Sequence, residues 1–378
     1  MNYIKTPELT FSEFNGKWEV RKLGELIKVN MCKRIFSNQT TPIGEIPFYK
    51  IGTLGNKPDS YISRELFKEY KNKYNFPRKG EILITCSGTV GKTIVYDGRD
   101  SYYQDSNIVW LENNNKIIYN NILRILLSKI DWSKRLNSTT IIRLYNDDIR
   151  NLKIEFPVEK EEQQKIGDFF ILLDKRIEQQ EQKIALLKDY KKAMMQKIFS
   201  QKIRFKDDNG NDYPDWEEKM LGKICRVKSS QLTNNVVEEI GKYPVYGANS
   251  IVGYTENYEV NKYVSIVKDG AGVGRIAFIN NKSSVLGTLQ YLIGIEITTE
   301  FLYVLLSNVN FKLYQTGTTI PHIYFKDYSK MIIDIPCQLE QEKISSFLFA
   351  MDLNLENQEA ILNNLKEQKQ GLLRKMFV

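Results

Sequence analysis

The chain is written twice, and that repetition limits what it can fold into more than any other feature, because whatever one copy builds the other must build too. Trp18-Glu19-Val20-Arg21-Lys22-Leu23-Gly24-Glu25-Leu26 returns 198 positions later as Trp216-Glu217-Glu218-Lys219-Met220-Leu221-Gly222-Lys223-Ile224. Ile46-Pro47-Phe48-Tyr49 is echoed by Tyr243-Pro244-Val245-Tyr246. Ser138-Thr139-Thr140-Ile141, with Tyr145 and Asp148 behind it, matches Gly317-Thr318-Thr319-Ile320 with Tyr324 and Asp327, now at an offset of 179. The shrinking offset puts extra residues in the middle of the first copy, where copies on a shared frame differ if they meet different targets.

Each copy closes on an apolar strand ended by proline, Leu152 to Pro157 and Ile332 to Pro336, and then enters a long helical pattern. In the first, Ile166, Phe170, Leu173, Ile177, Ile184, Leu187, Met194 and Ile198 follow steps of four and three, broken at Gln180 and Lys191. In the second, Ile344, Leu348, Met351, Leu355, Leu362, Leu365, Leu372 and Met376 do the same, broken at Gln358 and Lys369, every position offset by 178. Heptads with polar breaks at matching places suit two helices that bury one seam, with Gln180 and Gln358 positioned to fix register. The fold class is therefore α+β: two similar mixed α/β domains joined by two long helices forming an antiparallel coiled coil. The expected divisions are a first domain over 1–157, a helix over 158–200, a polar, turn-rich linker over 201–215, a second domain over 216–336 and a helix over 337–378. An antiparallel pair of about 40 residues per helix is a rod of roughly 60 Å that would carry the domains at opposite ends.

Lys and Arg (54) outnumber Asp and Glu (46), giving a net charge of +8 in a chain with 22 tyrosines, as binding a polyanion requires; a merely solubilising surface charge is the alternative. Cys32, Cys86, Cys225 and Cys337 lack the paired spacing of a zinc or disulfide framework, so no metal is expected and a reduced, cytoplasmic location fits. Met1 to Phe14 does not read as a signal peptide, and no apolar run is long enough to cross a bilayer.

Several strings imitate catalytic motifs and fail on context. Gly88-Thr89-Val90-Gly91-Lys92-Thr93 resembles the end of a P-loop, but Cys86 stands where its first glycine belongs, and the flanks Ile82 to Thr85 and Thr93 to Tyr96 are both β-like. Gly270-Ala271-Gly272-Val273-Gly274-Arg275 invites a nucleotide reading, yet it too leads into a strand, Ile276 to Ile279. Pro214-Asp215 with Glu217-Glu218-Lys219 is too compressed for a metal-dependent nuclease. No two prolines are adjacent, which removes the Pro-Pro-Tyr strings of base-flipping enzymes, and the single histidine, His322, has no acid partner identifiable in sequence. No catalytic residue is assigned.

The order of these features resembles the specificity subunit of type I restriction and modification systems over nearly the whole chain. The resemblance rests on the Trp18 and Trp216 openings with Leu23-Gly24 and Leu221-Gly222, the Ser87-Gly88-Thr89-Val90-Gly91-Lys92 turn and the strand-to-proline endings. It rests also on Glu162-Gln163-Gln164-Lys165-Ile166 and Glu340-Gln341-Glu342-Lys343-Ile344 opening the helices. It implies a non-catalytic chain whose two target recognition domains each read half of a split, asymmetric site in double-stranded DNA. It implies also that the helices dock two methyltransferase subunits, that S-adenosylmethionine is bound by those partners and not by this chain, and that motor-nuclease subunits join for cleavage. The second copy departs at its turn, Lys268 to Arg275, which is longer and ends in arginine.

The expected DNA contacts are the turns, with Ser87, Gly88, Thr89, Gly91 and Lys92 in one copy and Lys268, Gly270, Gly272, Gly274 and Arg275 in the other. To these are added Arg143 and Tyr145, His322 and Tyr324, and Lys50 and Asn249 just after the Pro-x-Tyr strands; His322 fits a packed or hydrogen-bonding role equally well. The rival from another class is a coiled-coil assembly protein whose basic charge is incidental.

Overall fold

The computed structural model describes residues 7–14, 17–135, 143–317 and 319–377, so Ser138 to Ile141 and Thr318 of the Thr-Thr-Ile match lie outside the described residues. The first copy runs β1 (Trp18–Lys22), β2 (Lys28–Met31), β3 (Ile46–Tyr49), β4 (Tyr61–Ile62), α1 (Arg64–Lys73), β5 (Ile82–Thr85), β6 (Thr93–Val95), β7 (Tyr102–Tyr103), β8 (Ile108–Glu112) and α2 (Asn120–Ser128). The single turns α3 (Trp132–Arg135) and α4 (Asn146–Arg150) lead to β9 (Lys153–Pro157) and the long α5 (Lys160–Phe199). β1 and β9 pair antiparallel, Trp18 opposite Pro157, and stitch the copy's ends together. A four-stranded antiparallel sheet has the order β2-β8-β5-β6, and a three-stranded sheet the order β4-β3-β7 with β3 and β7 parallel. All four residues of the inner strand β5 are buried, which is why it reads as an unbroken apolar run.

The second copy runs β10 (Glu217–Met220), α6 (Leu221–Ile224), β11 (Cys225–Ser229), β12 (Tyr243–Tyr246), β13 (Ile251–Thr255), β14 (Tyr263–Val267), β15 (Ile276–Ile279), β16 (Ser284–Val285) and β17 (Leu289–Gly294). It continues with α7 (Thr299–Ser307), α8 (Phe325–Tyr328), β18 (Ile332–Ile335) and the long α9 (Gln338–Met376). Its sheets match strand for strand: β10 with β18, β11-β17-β14-β15, and β13-β12-β16 with a parallel β12–β16 pair. The extra residues of the first copy are α1, for which the β13–β14 connection has no counterpart. Ser63 caps this helix by accepting from the Leu66 amide at 3.2 Å, and Glu65 at its start and Lys71 and Lys73 at its end suit the helix dipole. Its buried Phe67 meets Phe76 edge-on, and Tyr70 meets Tyr102, so the insertion brings its own aromatic core.

Two compact units result: residues 1–181 with 361–378, and residues 182–360. Each is one copy together with one half of each long helix, so the compact units part within the helices rather than at their ends. Ile166 and Phe170 of α5 enter the first core with Leu373, Met376 and Phe377; Ile344 and Leu348 of α9 enter the second with Ile198. In both units the two helices run antiparallel, and the lysine breaks in the heptads are ion-pair positions. Lys369 meets Asp174 in the first unit and Lys191 meets Asp352 in the second. Lys366–Glu181 and Lys188–Glu359 repeat the arrangement one step on, each at 2.6 Å. No helix among the described residues is long and apolar enough to cross a membrane.

Candidate nucleic-acid interface

In the first copy the glycine turn joins β5 to β6. It is closed by the Thr85 amide donating to the Lys92 carbonyl at 3.0 Å and the Gly91 amide donating to the Thr85 carbonyl at 2.8 Å. In the second copy the Val267 amide donates to the Arg275 carbonyl and the Gly274 amide to the Val267 carbonyl, both at 2.9 Å, so one extra residue is held within the same closure. The glycines of each turn do two different jobs. Gly91 (φ +80°) and Gly274 (φ +82°) are left-handed and pressed against aromatic residues: an added Cβ would lie 1.9 Å from the Trp132 ring or 2.6 Å from the Phe311 Cβ. Those two therefore seat the turn on its own unit. Gly270 (φ +94°) faces open space, and a Cβ at Gly88 (φ +66°) would meet only the Ile51 side chain, at 3.1 Å.

Each turn gathers the other expected contacts around it. The Leu144 amide donates to the Cys86 carbonyl at 2.8 Å, and the Ile323 amide to the Lys268 carbonyl at 2.9 Å. Because Leu144 and Ile323 are buried, exposed Arg143 and Tyr145, and half-buried His322 with exposed Tyr324, stand on either side of an anchored residue. Tyr145 is 63% and Tyr324 48% exposed, with Arg143 5.8 Å from one ring and the His322 ring 5.2 Å from the other. The loops after β3 and β12 complete the cluster. Lys92 Nζ donates to the Leu54 carbonyl at 2.6 Å, while Arg275 Nη1 donates to the Ala248 carbonyl at 3.2 Å and to Asn249 Oδ1. Lys92 and Arg275 thus tie the turn to the neighbouring loop. Lys50 faces Asp59 at 2.9 Å, Lys268 faces Asp269 at 2.7 Å, and Ser87 Oγ donates to Asn107 Oδ1 at 2.8 Å. Thr89 and Gly272 lie on the turns between the closing hydrogen bonds.

Trp132, Phe311, Asn107 and the Leu54 carbonyl are the parts that sequence reading missed. Trp132 follows α2 as Phe311 follows α7, so an aromatic residue at matching places in both copies was the available signal. Burial pushes the thiol of Cys86, behind the first turn, up to about 11 and those of Cys32 and Cys225, away from the turns, up to about 12, so none of these three thiols is an activated nucleophile. What the arrangement offers is backbone and side-chain donors around an accessible turn, which suits reading a polyanion's edge.

A family model described as the type I restriction modification DNA specificity domain matches residues 15–189 and again 213–367. The chain is 49% identical over 160 residues to a putative type I restriction enzyme specificity subunit, S.HindORF215P, of Haemophilus influenzae, covering 42% of this chain and 40% of that protein. It is 26% identical over 165 residues to the EcoDI specificity subunit of Escherichia coli, again covering 42% of this chain and 37% of the relative. The chain thus spans about two fifths of the length of these two relatives. Against the putative type I specificity subunit S.MgeORF438P of Mycoplasma genitalium it is 25% identical over 98% of this chain and 96% of that one. Among solved structures, the type I S subunit from M. genitalium superposes with a TM-score of 0.70 at 20% identity, covering 99% of each chain, which is a likeness of fold.

Proposed function

We propose, from the premise that the chain belongs to the type I restriction modification DNA specificity family, that it reads a bipartite, asymmetric site in duplex DNA, one half-site to each unit. The observation that carries this reading is the pairing of one backbone frame with two sets of displayed side chains. Leu144 on Cys86 and Ile323 on Lys268 anchor the same loop, yet Arg143 stands where the other unit has His322. A shared frame fixes the approach to the groove, and differing donors supply different base preferences.

In this reading the chain is not itself catalytic. Two methyltransferase subunits that bind S-adenosylmethionine dock along α5 and α9, and motor-nuclease subunits join for cleavage. Solvent-facing Leu172 (66% exposed), Leu186 (70%) and Leu353 (60%) on the two helices suit packing against partner helices. The test is binding of the purified chain to random and target-bearing duplex across a salt series. A DNA reader shows a steep fall in affinity with salt and a preference for the methylated site's sequence. A flat response would favour the assembly-protein reading.

A further inference from the structure

The repeat exposes a site that one unit fills and the other leaves open. In the first unit Phe377 packs edge-on against Trp18, with ring centroids 5.7 Å apart, and the two are only 3% and 1% exposed. Lys129, at the end of α2, holds its ammonium 4.8 Å from the Phe377 ring. Partial burial lowers this lysine's pKa while Glu155 on β9 pulls it back up, as expected of a cation seated between a ring and a carboxylate.

The second unit has the same parts without the lysine. Phe199 meets Trp216 at 6.3 Å, and Asp334 on β18 stands where Glu155 stands on β9. Asn308, at the end of α7, occupies the place of Lys129 and is too short to reach across the ring. The result is a groove of about 360 Å³ lined by Phe199, Trp216, Leu305, Val309, Leu313 and Asp334, among others. Phe199 and Trp216 are half-buried instead of sealed, Leu313 is 78% exposed, and Asp334 makes no ion pair among the described residues. Arg204 already faces the Trp216 ring, at 5.8 Å, but among the described residues no cation lies over Phe199.

We propose that this groove is a socket for a lysine or arginine side chain presented by a partner protein, whose stem lies over Phe199 and whose charge faces Asp334. The first unit's Lys129 is the template for that occupant, and Asp334 supplies the complementary charge. Since only the second unit leaves the place open, the socket is used once per chain. The partner assigned here is a methyltransferase subunit, and that assignment alone rests on the function proposed above.

Two measurements separate the socket from its partner. The full chain labelled at its tryptophan indoles is titrated with Nα-acetyl-arginine methylamide. The Trp216 signal should move and the Trp18 signal should not; Asn308→Lys, which supplies the chain's own cation, should weaken the titration about tenfold, while Asn308→Ala should leave it intact. No movement of Trp216, or equal titration of Asn308→Lys, overturns the socket. Second, a photo-crosslinking residue at Leu313 in the chain reconstituted with methyltransferase subunits should capture a segment carrying a lysine or arginine, and Asn308→Lys should abolish the adduct. Reconstitution without an adduct overturns the partner assignment. Failure to reconstitute at all counts against the proposed function, and the titration then decides the socket by itself.

Discussion

The two units share every strand pairing yet differ at the buried glutamate that opens each long helix. In the second unit Glu340 is fully buried and held by Arg204 through two hydrogen bonds of 2.9 and 2.8 Å, with the Trp216 indole donating to it at 3.0 Å. In the first unit Glu162 is 1% exposed, neither its Oε2 nor the Trp18 indole nitrogen has a hydrogen-bond partner among the described residues, and burial raises the glutamate's pKa. The register is set by Phe11 on Phe169 and Phe205 on Phe347, and it places Thr10 where Arg204 stands. The second unit has a cation at this place, and among the described residues the first has none. The same frame thus holds a buried glutamate with or without a cationic partner, and its pKa is raised where the partner is missing.

The largest expected effects come from the turns, where the units agree. Gly91→Val combines left-handed strain with a clash against Trp132 and should destabilise the first unit by about 4 kcal/mol; Gly274→Val should act similarly on the second through Phe311. Gly270→Ala, with open space around it, should cost only about 1 kcal/mol. Denaturant unfolding of the three variants measures this, and equal losses at all three would refute the division of labour among the glycines.

Next comes the glutamate itself. Arg204→Ala strands Glu340 in the second core and should cost about 3 kcal/mol. Thr10→Arg should stabilise the first unit by supplying the missing partner. The sign of the pH dependence follows from the raised pKa of Glu162. Its contribution to stability is present below the ordinary carboxylate range and is lost as pH rises through its folded-state value. Unfolding followed from mildly acidic to neutral pH should therefore show the first unit weakening, and Glu162→Gln should remove that slope; an unchanged slope would place the titrating group elsewhere.

The seam carries the smallest effects. Lys369→Ala and Lys191→Ala each break an equivalent part-exposed pair, with Asp174 and Asp352, and should each cost about 1 kcal/mol. A marked inequality would mean that the halves of the coiled coil are not equivalent.

Much of this was legible in the sequence. The offsets located the first copy's insertion, and the heptads and their matching breaks announced two paired helices. What remained hidden depends on contacts distant in sequence. The insertion's length could be read, but not that Phe67 and Tyr70 would make it a helix packed on Tyr102. The short parallel pairs β3–β7 and β12–β16, roughly 50 and 40 residues apart, carry too few residues for a periodicity. Lys191 and Lys369 could be recognised as breaks, but their partners lie about 160 and 195 residues away. That the residues expected to meet DNA lie together around each turn was not readable from their separate strings. Nor did the turns' own residues reveal that Trp132 and Phe311 occupy the space beside Gly91 and Gly274.

The central claim is that each unit reads one half-site on its own, and the most direct measurement is an exchange. Residues 18–157 are replaced with the equivalent domain of another family member, the chain is expressed with the methyltransferase subunits proposed for it, and the methylated sequence is mapped in cells. The account requires one half of the site to change while the other half stays as in the parent. A change in both halves, or in neither, would contradict it.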